Sequence, residues 1–151
     1  MRKKFPWIVG ALLVLFALLQ LANPSRVNPP VQNSFPITHA PPDVQAMFRA
    51  ACYDCHSDET RWPWYSHIAP VSLLVAGDVK RGRSHLNLSE WPADSARAAK
   101  KMEIMGDEID DGDMPLKKYT LIHTDARLTD SQRKAMEDWL TSEATNLKAQ
   151  K

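Results

Sequence analysis

Apolar residues recur at helical spacing in several segments of the chain, and no two segments alternate in the way that paired strands do. The clearest early stripe consists of Val44, Met47, Phe48 and Ala51, which lie one helical turn apart. This stripe predicts a helix over residues 43–52, preceded by two prolines. The helix leads directly into the only two cysteines of the chain.

The same spacing predicts three more helices in the C-terminal two thirds of the chain. One covers residues 71–82, and a second covers residues 90–105 and ends at Gly106. The last helix begins after Thr129, and Gln132 stands where the partner of a capping box is expected. Its inward stripe consists of Met136, Trp139 and Leu140. The pattern therefore predicts an all-α domain.

The N-terminus has a different pattern, in which three basic residues at positions 2–4 precede a mostly apolar, uncharged stretch over residues 5–22. A basic start followed by an apolar core is typical of export signals. Because Gln20 fits poorly at a cleavage site, we expect residues 1–22 to be an uncleaved signal anchor and membrane helix. A cleaved signal peptide is the alternative. The stretch is slightly shorter than the ~20 residues that usually span a bilayer.

Residues 23–42 contain six prolines and predict an extended, semi-rigid linker between this anchor and a single domain over residues 43–148. The whole chain has 19 basic and 18 acidic residues, and without the three basic residues at positions 2–4 the balance is 16 to 18. The charge is therefore nearly neutral, with no basic stripe, and nucleic-acid binding has no support.

The run Cys52-Tyr53-Asp54-Cys55-His56 reads C-x-x-C-H, which is the attachment signature of c-type haem. Two thiols can capture the two vinyl groups of haem as thioethers, and the adjacent imidazole can bind the iron. On a helical turn these three side chains share one face. A zinc site would need a second cysteine pair, a redox dithiol would need a βαβ context, and a disulfide would leave His56 unexplained.

Three segments together resemble the bacterial haem-binding domain family that is built around C-x-x-C-H: residues 52–72, 87–91 and 114–123. The resemblance extends from about residue 35 to residue 147. It implies a small cytochrome c-like helical domain around one covalent haem, held through Cys52 and Cys55. Members of this family occur alone behind an N-terminal anchor or joined to larger haem proteins.

Met114 is the residue we expect to bind the iron opposite His56. It precedes Pro115 in a loop that follows five acidic residues within positions 107–113, a stretch that we expect to be a solvated loop. The order of C-x-x-C-H, a Met-Pro loop and a terminal helix is similar to that of class I cytochromes c, in which a loop methionine is the second axial ligand. His123 is the alternative, in a bis-histidine site.

Several other side chains are expected around the haem. Flat aromatic surfaces suited to pack against a porphyrin are Trp62, Trp64, Tyr65, Trp91 and Tyr119. The carbonyl of Pro63 or Pro70 is expected to accept a hydrogen bond from the second nitrogen of His56. Candidate partners for the haem propionates are Arg61, Arg81 and Arg83.

These features predict a membrane-tethered monohaem c-type cytochrome that transfers single electrons and is not an enzyme. The expected location is the bacterial inner membrane, with a single pass and the haem domain in the periplasm. The expected partners are redox proteins of the periplasm or inner membrane. The alternatives are a haem-based redox or gas sensor and a small peroxidase-like enzyme. Either would need an open sixth coordination position on the iron or a displaceable sixth ligand.

Overall fold

The computed structural model describes residues 4–22 and 24–149, and within them the regular structure is helical. Seven α-helices follow one another in this part of the chain: α1 (Phe5–Leu19), α2 (Pro42–Ala51), α3 (Tyr53–His56), α4 (Val71–His85), α5 (Ser95–Asp110), α6 (Lys117–Thr120) and α7 (Asp130–Ala149). Short 3-10 turns cover Ile37–His39, Trp64–His67 and Thr124–Ala126. The described residues contain no strand, only an isolated bridge between Asn33 and Glu90. The prediction of an all-α fold is confirmed.

Helices α5 and α7 pack against each other and form the centre of the core. Met136 and Leu140 of α7 are fully buried, as is Met102 of α5. The predicted capping box is present at the start of α7, where the Thr129 N–H donates to Gln132 Oε1 at 2.8 Å. The Gln132 N–H donates back to Thr129 Oγ1 at 3.3 Å. These two bonds satisfy backbone donors that the first helical turn leaves unpaired.

Helix α5 lies about one turn further along the chain than the sequence pattern predicts. Asp94 caps its start by accepting from the Arg97 N–H at 2.8 Å. Gly106 does not end the helix but is buried inside it, facing α7. The chain turns away instead at Gly112, whose φ of +77° suits a residue without a Cβ. The first acidic residues of positions 107–113 are therefore helical.

Part of the segment predicted as a linker packs into the core. Phe35 is only 1% exposed, and its ring makes edge contacts with Phe48, Trp91 and Trp139. The backbone there is held by two bonds of 2.7 Å, from the Phe35 N–H to Leu88 O and from the Trp91 N–H to Asn33 O. The packed unit thus begins before residue 43. Residue 23, the first of the predicted linker, lies outside the described residues.

Helix α1 has no buried side chain, and all of its apolar residues except Leu19 are exposed. Within residues 4–22 and 24–149, no helix combines the length and apolarity needed to span a membrane. Gln20, just after α1, forms a pair of hydrogen bonds with the backbone of Ala69: its Nε2 donates to Ala69 O at 3.2 Å, and its Oε1 accepts from the Ala69 N–H at 3.0 Å. Arg2 and Lys3 of the predicted anchor lie outside the described residues.

Candidate functional site

The C-x-x-C-H run occupies the junction between α2 and α3. Cys52 ends α2, and the next residues form the single turn of α3. The N–H groups of Cys55 and His56 both donate to Cys52 O, at 3.2 and 2.9 Å. The two cysteines are not joined in a disulfide.

Two cavities lie beside this turn and share part of their walls. The first has a volume of about 410 Å³ and is lined by Cys55, while the second has a volume of about 350 Å³ and is lined by Cys52. His56 and Met114 line both cavities. The structure therefore brings the predicted axial residues to one place, with one thiol on each side.

His56 is held in a single orientation by a backbone carbonyl. Its Nδ1 donates to Leu86 O at 3.1 Å, which leaves Nε2 available as a metal ligand. Neither Pro63 nor Pro70, the acceptors expected from the sequence, makes this bond. The chain leaving α4 passes over His56 instead, and the Leu88 N–H donates to His56 O at 2.6 Å.

Burial keeps the chemical groups of the motif uncharged. Removal from water lowers the pKa of His56, and the hydrogen bond to Leu86 only partly opposes this effect. Burial also raises the pKa of Cys52 to about 12, with a further contribution from Cys55, and the pKa of Cys55 to about 11, where Asp78 and Asp54 add to the shift. A neutral imidazole has the free lone pair that iron requires.

Gly82 allows α4 to lie directly against α3. A Cβ at this position would come within 2.3 Å of Cys55 O and 2.9 Å of its carbonyl carbon. No side chain fits at such distances from a backbone. Gly82 also lines the first cavity, so this close contact shapes the wall around Cys55.

Met114 lies in the loop between α5 and α6. Its N–H donates to Glu108 O at 3.0 Å, and its carbonyl accepts from Arg133 Nη1 at 2.9 Å. Both of its backbone groups are thus bonded to helices, while the side chain contributes to the two cavities.

A family model described as a haem-binding domain matches residues 14–142 of the chain, which is most of its length. The chain belongs to the haem-binding domain family. No curated protein and no solved structure shows significant similarity to it. The match begins within α1 and includes the proline-rich segment, in keeping with the packing of Phe35 into the core.

The residues around the two cavities fit the haem that this family implies. Two unpaired thiols can form thioethers with the haem vinyl groups, while an imidazole with a free Nε2 and a methionine thioether are ligand types that haem iron accepts. Much of the wall is aliphatic, from Leu86, Ile104, Met105 and Ile109 in the second cavity to Leu116 in the first. Such a lining suits contact with a porphyrin face.

The aromatic residues predicted to line the haem mostly lie elsewhere in this haem-binding domain. Tyr119 lines the first cavity, but Trp91 is buried against Phe35 in the core. Trp62 donates its Nε1 to Asn28 Oδ1 at 3.1 Å, and Trp64 is 75% exposed. Composition alone does not distinguish a tryptophan of the core from one of the cofactor pocket, which explains the difference.

His123 and Tyr65 belong to a separate polar cluster behind the C-x-x-C-H turn. His123 stacks on Tyr119 with ring centroids 4.1 Å apart, and its Nε2 is 2.5 Å from the Tyr65 hydroxyl. Both line a third cavity of about 190 Å³ that does not include His56 or Met114. The position of His123 gives no support to a bis-histidine site.

Asp54 is the acceptor at the centre of this cluster. It accepts from the Arg61 side chain at 3.1 and 3.2 Å and from the Tyr119 hydroxyl at 2.9 Å. Burial and the negative charge of Asp54 raise the pKa of Tyr119, which therefore stays protonated. The cluster fixes Tyr119 against the back of the motif.

Of the three arginines proposed for the propionates, only Arg81 lines a cavity shared with His56. Arg61 is paired with Asp54, and Arg83 with the buried Asp58 at 3.3 Å. Lys118, which the sequence did not indicate, lines the first cavity beside Arg81, and both contact Asp78. Lys118 reaches this cavity because α6 follows directly after the Met114 loop.

Proposed function

We propose that this protein is a c-type cytochrome, in which Cys52 and Cys55 hold one haem covalently and the iron carries single electrons. The observation that supports this proposal best is the placement of the two thiols in adjacent cavities that share His56 and Met114. Haem supplies a one-electron ferric–ferrous couple when bound, and the protein supplies its ligands and its largely apolar surroundings.

His56 and Met114 are the proposed axial ligands. Leu86 O orients the imidazole so that Nε2 faces away from the hydrogen bond, and burial keeps the ring neutral. The Met114 thioether favours ferrous iron more than a second imidazole would, so this pair predicts a raised reduction potential. A site with both axial positions filled suits electron transfer, because it leaves no position for a substrate.

The test is the near-infrared sulfur-to-iron charge-transfer band of the ferric protein. We expect the wild-type protein to show this band and Met114→Leu to lose it, because leucine has a similar volume but no sulfur. Met105→Leu is the matched control, since Met105 lines the second cavity together with Met114 but lies within α5. The Met105→Leu protein should keep the band.

Two results would contradict the electron-carrier proposal. A band that persists in Met114→Leu would assign the sulfur ligand to another residue. A wild-type iron that is five-coordinate, or that binds carbon monoxide readily in the ferrous state, would favour the sensor or the peroxidase-like enzyme instead.

We further propose that the domain works on the outer side of the cytoplasmic membrane and exchanges electrons with redox proteins there. The basic start, the apolar stretch over residues 5–22 and the exposed apolar surface of α1 support membrane attachment. Protease added to spheroplasts should therefore digest the haem-bearing chain, and protection until the cells are lysed would contradict this location.

A further inference from the structure

Arg133, on the first turns of α7, holds the loop that carries Met114. Its Nη1 donates to two backbone carbonyls, Ile109 O and Met114 O, each at 2.9 Å. One nitrogen, through its two N–H groups, therefore joins the last turn of α5 to the residue proposed as the iron ligand. Hydrogen bonds from a charged donor are stronger than those between neutral groups.

The helix that carries Arg133 is well fixed. Met136 and Leu140, on the next turns of α7, are fully buried against α5. Arg133 is half-buried, as are its two hydrogen bonds, which limits competition from water. Through its hydrogen bonds, Arg133 therefore attaches the loop that carries Met114 to the packed pair of helices α5 and α7.

Two backbone hydrogen bonds hold the loop at Met114. The chain leaves α5 through the turn at Gly112, and the Met114 N–H donates to Glu108 O. With the bond from Arg133, the two backbone groups of Met114 are bonded to two different helices. Without Arg133, the Met114 carbonyl would lose its hydrogen bond to α7.

We propose that Arg133 is a positioning residue that keeps the Met114 thioether at the iron. This inference rests on the proposed function, in which Met114 is the axial ligand. The two bonds restrict the loop to the conformation in which the Met114 side chain lines both cavities. Loss of Arg133 should make the thioether easier to displace without removing it from the site.

Displacement by imidazole, followed through the sulfur-to-iron band of the ferric haem-loaded protein, measures this directly. We expect Arg133→Gln to show the band but to lose it at imidazole concentrations about tenfold lower than the wild-type protein, since one charged hydrogen bond is worth about a decade in an equilibrium constant. Arg133→Lys keeps a charged donor and should show a smaller shift.

Arg127→Gln is the matched control. Arg127 also bonds two backbone carbonyls, Thr120 O at 2.8 Å and Leu121 O at 3.3 Å, but does not touch the Met114 loop. Its imidazole titration should match that of the wild type. If Arg133→Gln does not fold, the Arg133→Lys titration decides, and a wild-type value there would overturn the inference.

The outcomes separate this inference from the proposed function. A wild-type protein without the band would reject Met114 as ligand and with it the role of Arg133. A wild-type band together with unchanged imidazole displacement in Arg133→Gln would reject the role of Arg133 alone. An equal shift in Arg127→Gln would also reject it, because general loosening would then explain the effect.

Discussion

The imidazole of His56 owes its orientation to one carbonyl thirty residues further along the chain. The sequence predicts this histidine as an iron ligand, because C-x-x-C-H specifies it locally. The acceptor was predicted at Pro63 or Pro70 and is Leu86 O instead. A backbone carbonyl has no residue-type signal, so only the path of the chain after α4 reveals this partner.

Gly82 is a second residue whose role depends on backbone packing. We expect Gly82→Ala to lower the free energy of unfolding by about 2 kcal/mol or more, because the new Cβ would meet the Cys55 carbonyl at 2.3 Å and force α3 and α4 apart. Denaturant unfolding of the haem-loaded protein, followed by circular dichroism, measures the change.

Gly77, in the same helix, provides the control for Gly82. A Cβ there would meet only Arg81 Nη1 at 3.6 Å, an ordinary contact. Gly77→Ala should therefore stabilise the protein by about 0.5–1 kcal/mol through helix propensity. Equal effects of the two substitutions would show that the close approach of α3 and α4 is not as described.

Among the elements, the proline-rich segment raises the question of where the packed domain begins. A linker would tolerate the loss of an aromatic side chain, whereas Phe35 is buried among three aromatic rings. We expect Phe35→Ala to cost about 3–5 kcal/mol of stability, the usual range for removing a buried phenylalanine. The same denaturant unfolding measurement applies.

Val31, in the same segment, is 44% exposed and serves as the comparison for Phe35. Val31→Ala should change the stability by less than about 0.5 kcal/mol. A similarly small effect of Phe35→Ala would mean that the segment acts only as a linker.

The helices were predictable where a stripe and a cap coincide. The stripe of α2 and the capping box of α7 appear where the sequence placed them, since both signals are local. The end of α5 was placed too early, because Gly106 is tolerated inside a helix that packs closely on α7. The burial of Phe35 was missed because prolines determine the backbone conformation but not what packs on it.

At the scale of the whole molecule, the cofactor follows from a local motif and the family match, while its surroundings depend on the fold. The prediction of Met114 beside His56 used only the order of motifs along the chain, and both residues line the same cavities. The aromatic wall was predicted from residue type, and only Tyr119 lies at those cavities. Long-range packing determines which tryptophan faces the core, and residue type alone does not predict such packing.

The proposed function depends on one haem held covalently by Cys52 and Cys55. The most direct test is the mass of the purified, fully denatured protein. We expect the mass of the polypeptide plus one haem, reduced to that of the polypeptide alone when Cys52 and Cys55 are both replaced by alanine. A denatured wild-type chain that releases its haem and has the mass of the bare polypeptide would contradict it.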